Sequence, residues 1–425
     1  MFVIGGGGRE HALAWHLRRS YPDGTLFCAP GNPGIASVAT CLPIPVTDPA
    51  ALADAAGELD VDLTIVGPEA PLVAGLVDLF DARGLPILGP TRAAAMLEGS
   101  KVFAKGLMQR YGVPTAAFAV FEDAGAALRY IDRVPGPVVV KADGLAAGKG
   151  VVVCSDSDEA RQVVQAMMVQ RAFGDAGGRI VIEECLEGEE VSVFALVDGE
   201  AVALLPAAQD HKRVGDGDRG PNTGGMGAAA PYPLPPPLRE QIRRTVLEPV
   251  ARAMCAEGRP YRGILFAGLM VTRDGLRVLE FNCRLGDPEA QAILPLLPVG
   301  LPDAFDALRA GGLSADDLAP VTGAAVGVVL ASRGYPGPPQ VGQPVEGLEA
   351  AEAEGLVFHS GTVARDGRIV TAGGRVLTVV GLDATPAAAQ TRAYRAASQI
   401  HFDGMHFRRD IGARLSGDVV AAGRG

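Results

Sequence analysis

Val138-Val139-Val140-Lys141-Ala142-Asp143-Gly144-Leu145-Ala146-Ala147-Gly148-Lys149-Gly150-Val151-Val152-Val153 reads as two β-branched strands joined by a glycine-rich turn. It is not a Walker-type loop. Its glycine spacing is one residue short, no Ser or Thr follows Lys149, and a strand rather than a helix comes next. The segment is a flap between antiparallel strands, whose small residues let backbone N–H groups close over an anion. Lys141, at the end of the first strand, adds positive charge from below.

The lysines sharpen this reading. The chain has only five, Lys101, Lys105, Lys141, Lys149 and Lys212, against 33 arginines. A lysine kept against that habit marks a place for a compact point charge on a flexible stem, and phosphate is the commonest such need. Lys105 is read as a helix-surface residue. The formal charge of −11 argues against nucleic acid or an anionic membrane as the partner. The six cysteines are dispersed, without C-x-x-C or zinc spacing, and read as free thiols of a reducing compartment. No run of 18 apolar residues occurs, so no membrane span is expected and the protein is placed in the cytoplasm.

Outward from the flap, the 425 residues divide into three parts. Residues 1–100 alternate strands at 2–4, 25–29, 62–66 and 86–88 with helices at 11–19 and 71–83, the rhythm of a doubly wound parallel sheet. Ligands of such sheets sit beyond the carboxyl ends of the strands, here the loops Gly5–Gly8, Pro30–Gly34 and Gly67–Glu69. Residues 101–322 form a central α+β domain, with 118–193 as a small lid unit and hairpins at Asp198-Gly199 and Asp274-Gly275. Residues 215–227 carry six glycines in thirteen positions and read as a loop. Residues 323–425 read as an independent β-rich module.

Four further segments carry chemistry. The loop Gly5-Gly6-Gly7-Gly8-Arg9-Glu10-His11 opens a helix, as a dinucleotide fingerprint does, but lacks the third glycine. The second strand carries no ribose-binding acid, so the loop suits an anion at a helix N-terminus rather than NAD. Ile182-Glu183-Glu184-Cys185-Leu186-Glu187-Gly188-Glu189-Glu190 fits a hinge whose backbone pairs with an adenine while Glu190 holds the ribose; a solvated acidic loop is the alternative. In Leu279-Glu280-Phe281-Asn282-Cys283-Arg284, period 2 puts Glu280, Asn282 and Arg284 on one face. The carboxylate and amide oxygen are hard ligands for Mg²⁺, and Arg284 suits a phosphate or carboxylate. Asp287 follows. Finally, Asp210-His211-Lys212-Arg213 leads into the glycine-rich 215–227, a pattern suited to wrapping an ionic ligand.

Together these segments resemble the ATP-grasp ligases, and within them the glycinamide ribonucleotide synthetase family, the phosphoribosylamine–glycine ligases of purine biosynthesis. The most specific match is Asp210-His211-Lys212-Arg213-Val214-Gly215-Asp216-Gly217-Asp218 with Gly220-Pro221-Asn222-Thr223-Gly224-Gly225-Met226-Gly227. The likeness runs through His359-Ser360-Gly361-Thr362 to Phe407-Arg408-Arg409-Asp410-Ile411-Gly412, the whole chain. It implies a pre-ATP-grasp N-terminal sheet, a two-part ATP-grasp domain and a β-rich C-terminal domain. It also implies that ATP, glycine and 5-phosphoribosylamine give ADP, phosphate and glycinamide ribonucleotide through glycyl phosphate. Lys101, Lys141, Gly144, Gly148, Lys149 and Gly150 would then hold the ATP phosphates, and Glu183, Glu184, Leu186 and Glu190 the adenosine. Glu280 and Asn282 would ligate Mg²⁺ or Mn²⁺. Arg284, Lys212 and Asp210 would be catalytic. Gly7, Gly8, Arg9, Glu10, Asn32, Pro68, Glu69, Thr223, Gly224, Gly225, Arg284 and Asp287 would face glycine and phosphoribosylamine. A monomer or weak dimer is expected.

Two positions depart from the family pattern. Gly6 stands where an asparagine is usual, and no second metal-binding acid occurs in the strand around 263–271. The nearest rivals are an ATP-grasp ligase of another carboxylate, disfavoured by 210–227, and an NAD-dependent oxidoreductase. A non-catalytic nucleotide module would not need the Glu280/Asn282/Arg284 face.

Overall fold

A computed structural model describes residues 1–145, 150–314 and 321–416. The N-terminal sheet has five parallel strands in the order Thr40–Cys41, Phe27–Pro30, Phe2–Gly5, Thr64–Val66 and Ile87–Leu88. Its order reverses between Phe2–Gly5 and Thr64–Val66, so the loops after those strands meet at the switch point. The helix expected over 71–83 is two, Glu69–Ala74 and Leu76–Ala82. Gly75 sits between them at φ +94°, a left-handed conformation that interrupts the helical backbone and that glycine adopts without steric cost. The expected strand at 25–29 begins later, at Phe27.

The helix Lys101–Tyr111 leads from this unit to the centre. Ser100 caps it, accepting from Phe103 N, and Gly112 ends it in the left-handed region. Two antiparallel sheets then face each other. The lid sheet runs Phe118–Phe121, Ile180–Glu184, Val138–Ala142, Val151–Cys154. The larger runs Ala201–Leu204, Glu189–Asp198, Arg262–Thr272, Gly275–Asn282. The strand pair flanking 144–150 is antiparallel, as the flap reading requires.

Three further expectations are corrected. Residues 215–227 are not simply a loop. Arg213–Gly215 and Arg219–Asn222 form an antiparallel ribbon, and Gly227–Ala230 is a buried strand. Gly227 fits close backbone packing: a Cβ there would fall 2.5 Å from the Gly327 carbonyl oxygen. Nor is the C-terminal module independent. Its sheet is ordered Gln209–Asp210, Gly227–Ala230, Ala324–Ala331, Arg375–Asp383, Leu356–His359, so two strands come from the central segment. The expected strand at 357–364 is broken into Leu356–His359 and Thr362–Arg365, the latter pairing with Arg368–Thr371. No helix among the described residues is long and apolar enough to cross a membrane.

Candidate active site

Between the two central sheets lies a cavity of about 560 Å³. One end is apolar, lined by Val139, Val151 and Val153 of the lid and by Phe266, Met270, Leu279 and Phe281 of the larger sheet, with Cys185 and Leu186 at the connecting segment. The other end is ionic, lined by Lys101, Lys141, Glu190, Asp210, Lys212, Glu280, Asn282, Arg284, Asp287 and Glu289.

A bulge aims the acid. Gly268 pairs with Glu280 but Leu269 pairs with Val278, leaving Leu279 as an extra residue. Leu276 and Val278 are buried before the bulge, and Phe281 after it. Glu280 and Asn282 therefore share the cavity face, as period 2 requires. Loss of water contact raises the Glu280 pKa, but Lys212, Lys141 and Lys101 outweigh it and hold the carboxyl below its usual range. Asn282 donates from Nδ2 to Glu98 Oε1 at 2.9 Å, which leaves its amide oxygen as the ligating end. Two such oxygens fit a Mg²⁺-type ion that takes its remaining ligands from phosphates and water. Among the described residues no group of three or more His, Cys, Asp or Glu forms a self-sufficient metal cage.

Arg284 is braced on both sides, Nε to Glu69 Oε2 at 2.9 Å and Nη2 to Glu98 Oε1 at 3.1 Å. Those two acids raise its pKa against the effect of burial. Lys212 pairs with Glu190 Oε2 at 2.8 Å. Asp210, beside it, has its pKa pushed well up by burial and by Glu289, and its Oδ1 has no hydrogen-bond partner. Thr223 accepts from Gly225 N and donates to Lys212 O, folding 223–225 onto the lysine. Asp287 is held by Gln291 and by Arg375, whose Nη2 lies 3.2 Å from Oδ2; Arg375 also donates to Gly224 O at 2.6 Å.

The base of the flap is tied down. Lys101 Nζ donates to Gly144 O at 3.0 Å, and Asp143 accepts from Ser100 Oγ and Val102 N and pairs with Arg179. Gly144 and Gly150 line the cavity, whereas Gly148 and Lys149 lie outside the described residues. Glu184 lines it too, its carboxylate accepting from Ala117 N at 2.8 Å. The Glu183 side chain is committed between Lys141 and Lys105, at 3.0 and 2.8 Å, and its backbone lies inside the lid sheet between Phe118 and Val139, so Cys185 and Leu186, beyond the strand end, are left to meet a nucleobase. Lys105 is thus not a helix-surface residue: it is 2 % exposed.

The N-terminal loops adjoin this cavity without lining it, apart from Glu69. The helix start expected to receive an anion is closed by the chain's own carboxylate: Glu10 Oε2 accepts from Gly7 N at 2.6 Å and Oε1 pairs with Arg9. Arg9 also donates to Leu285 O, next to Arg284. Asn32 spends its amide on Gly6 O, His359 O and Ile35 N, so its side chain supports the loop. A Cβ at Gly8 would fall 2.5 Å from Gln291 Nε2, so this turn packs directly on the 287–291 segment; Pro68 leads into the Glu69 helix. At Gly6 a Cβ would fall 2.6 Å from Gly31 O, so the missing side chain coincides with a close backbone approach.

Sequence reasoning missed Glu98, Glu289 and Arg375. Glu98 closes an unremarkable helix, Arg92–Gly99, and Arg375 opens a strand. Only Glu289, in a run of conspicuous acids after the 279–284 strand, gave any signal.

A lid sheet folded over a second antiparallel sheet, with Lys141 of the first and Lys101 of the neighbouring helix facing an acid and an amide of the second, defines an ATP-grasp protein. The biotin carboxylase domain of Hydrogenobacter thermophilus 2-oxoglutarate carboxylase shares the fold, at TM-score 0.71 and 16% identity over 95% of this chain and 91% of that one. Models of the phosphoribosylglycinamide synthetase N domain, ATP-grasp (A) domain and C domain match residues 1–98, 99–290 and 325–414. The chain belongs to the phosphoribosylglycinamide synthetase family. It is 49% identical to the phosphoribosylamine–glycine ligase of Ralstonia nicotianae over 97% of this chain and 99% of that protein. With the ligase of that name from Pseudomonas aeruginosa it shares 49% identity, covering 97% of each. The crystal structure of phosphoribosylamine–glycine ligase from Thermotoga maritima superposes with TM-score 0.83 at 36% identity, over 96% of this chain and 99% of that one.

Proposed function

We propose that this protein joins glycine to 5-phosphoribosylamine, converting ATP to ADP and phosphate and forming glycinamide ribonucleotide, a step of purine biosynthesis. One observation carries the reading. A single cavity joins an apolar lining, suited to a nucleobase, to an ionised acid ringed by Lys101, Lys141, Lys212 and Arg284. Such a ring suits transfer of a phosphoryl group to a carboxylate, which needs alignment and charge neutralisation more than a protein nucleophile.

In this reading Leu186 and the backbone near Glu183 and Glu184 hold the adenine, and Glu190 the ribose. Lys101 and Lys141 neutralise the phosphates, with 144–150 closing above them. Glu280 and Asn282 would hold Mg²⁺ or Mn²⁺, which would supply charge neutralisation to the phosphates. A glycine carboxylate oxygen bonds to the γ-phosphorus as the bond to ADP breaks. The amine nitrogen of phosphoribosylamine then bonds to the carbonyl carbon of glycyl phosphate, and phosphate leaves with the C–O electron pair. Arg284 and Lys212 stabilise the charge on the acyl phosphate. Asp210, raised in pKa and with a free oxygen, takes the proton the amine releases. Thr223, Gly224, Gly225, Glu69 and Asp287, with the Gly7–Glu10 turn behind them, position the two small substrates.

Glycine labelled with ¹⁸O in its carboxylate tests the route. Transfer of one labelled oxygen to the released phosphate is expected. Unlabelled phosphate from a productive turnover would remove glycyl phosphate from the account.

A further inference from the structure

Lys105 and the Glu183 carboxylate are unused by the mechanism above, yet they form an ionic cluster with one of its lysines. Glu183, on Ile180–Glu184, is 3 % exposed and sits between Lys105 on the helix Lys101–Tyr111 and Lys141 on Val138–Ala142. Lys105 also donates to Thr115 Oγ1 at 2.7 Å, and that hydroxyl donates to Val278 O. Lys141 donates to Leu279 O at 3.0 Å, the bulged residue beside Glu280. Alone with Glu183, Lys141 would form a neutral pair and offer the phosphates little net charge. With Lys105 present the cluster carries one net positive charge.

We infer that Lys105 is a positioning residue for the nucleotide: by sharing Glu183 it leaves the charge of Lys141 available to the phosphates. The inference rests on the ATP reading of the cavity. Burial and the neighbouring Lys141 lower the Lys105 pKa to about 8, with Glu183 and Glu280 opposing them. The charged groups facing it are Glu183, Lys141 and, from the larger sheet, Glu280. Below that pH the cluster is positive; above it the cluster is neutral.

The test is calorimetric titration of the intact protein with ADP and Mg²⁺. Lys105→Met should weaken binding about tenfold, and Lys105→Met/Glu183→Gln, which restores one net positive charge, should recover most of the loss. Wild-type binding in Lys105→Met, or a double variant as weak as the single, overturns the inference. Absence of binding to the wild type would instead overturn the nucleotide reading. The pH profile adds a second arm: affinity should fall more between pH 7 and 9.5 in the wild type than in the double variant, where Lys101, also lowered in pKa, accounts for what remains, and equal falls overturn the inference.

Discussion

Replacing Glu98 should damage metal use before it damages nucleotide binding. Its carboxylate, 7 % exposed, accepts from Asn282 Nδ2, Cys283 N and Arg284 Nη2. Glu98→Ala therefore frees the amide of one ligand, strands a buried backbone N–H and leaves Arg284 with Glu69 alone. Breaking a buried ion pair from one side costs about 3–5 kcal/mol, so the alanine variant should unfold at clearly lower denaturant. Glu98→Gln keeps the shape and one acceptor oxygen and should lose about 1–3 kcal/mol. In that folded variant Asn282 is no longer oriented by a charged partner. Loss of such outer support typically costs roughly 10–100-fold in metal affinity or activity. The assay is phosphate release at saturating ATP against Mg²⁺ concentration, beside urea unfolding. A folded Glu98→Gln protein with the wild-type Mg²⁺ dependence would refute the reasoning.

Lys141→Ala and Glu280→Ala should each abolish turnover while leaving the far-ultraviolet dichroism intact; near-normal turnover in folded Lys141→Ala removes that residue from the mechanism. Arg408 is 1 % exposed and clamps Asp218, Asp410 and Arg213 O, fixing the Arg213–Asn222 ribbon at the cavity edge. Arg408→Ala leaves Asp218 and Asp410 partly open to water and should lose about 1–3 kcal/mol of stability, read by urea unfolding, and its surviving activity should show raised KM for glycine and phosphoribosylamine. Burial lowers the pKa of His11 to about 3 and of His359 to about 4, with His359 N donating to His11 Nδ1. Both stay neutral when folded while unfolded histidine protonates near 6.5, so their stability contribution is complete above that pH. It is lost as pH falls toward 4, at on the order of 1 kcal/mol per pH unit for each. Thermal unfolding from pH 7 to 4.5 should show the slope, to which His16 and His211, also lowered by burial, add, and His11→Gln should reduce it by its own share.

The parts legible in the sequence were those written in local periodicity. The antiparallel strand pair Val138–Ala142 and Val151–Cys154 and the polar face of Glu280 and Asn282 depend on neighbours a few to a dozen residues away. Residues whose role is set by distant partners were not legible. Lys105 looks like a surface lysine because nothing nearby announces Glu183, nearly eighty residues on. Glu98 gives no sign that it will brace Asn282 and Arg284. The glycines of 215–227 were read as a loop, but at Gly227 the structure uses the missing side chain for strand packing. That packing also joins the central and C-terminal segments in one sheet, which no local pattern could disclose.

The most direct test of the central claim is phosphate release from ATP and Mg²⁺, with glycine and 5-phosphoribosylamine added singly and together. Release only with both present is the predicted result. Release that ignores glycine but responds to another carboxylate would keep the ATP-grasp chemistry and contradict the substrate assignment.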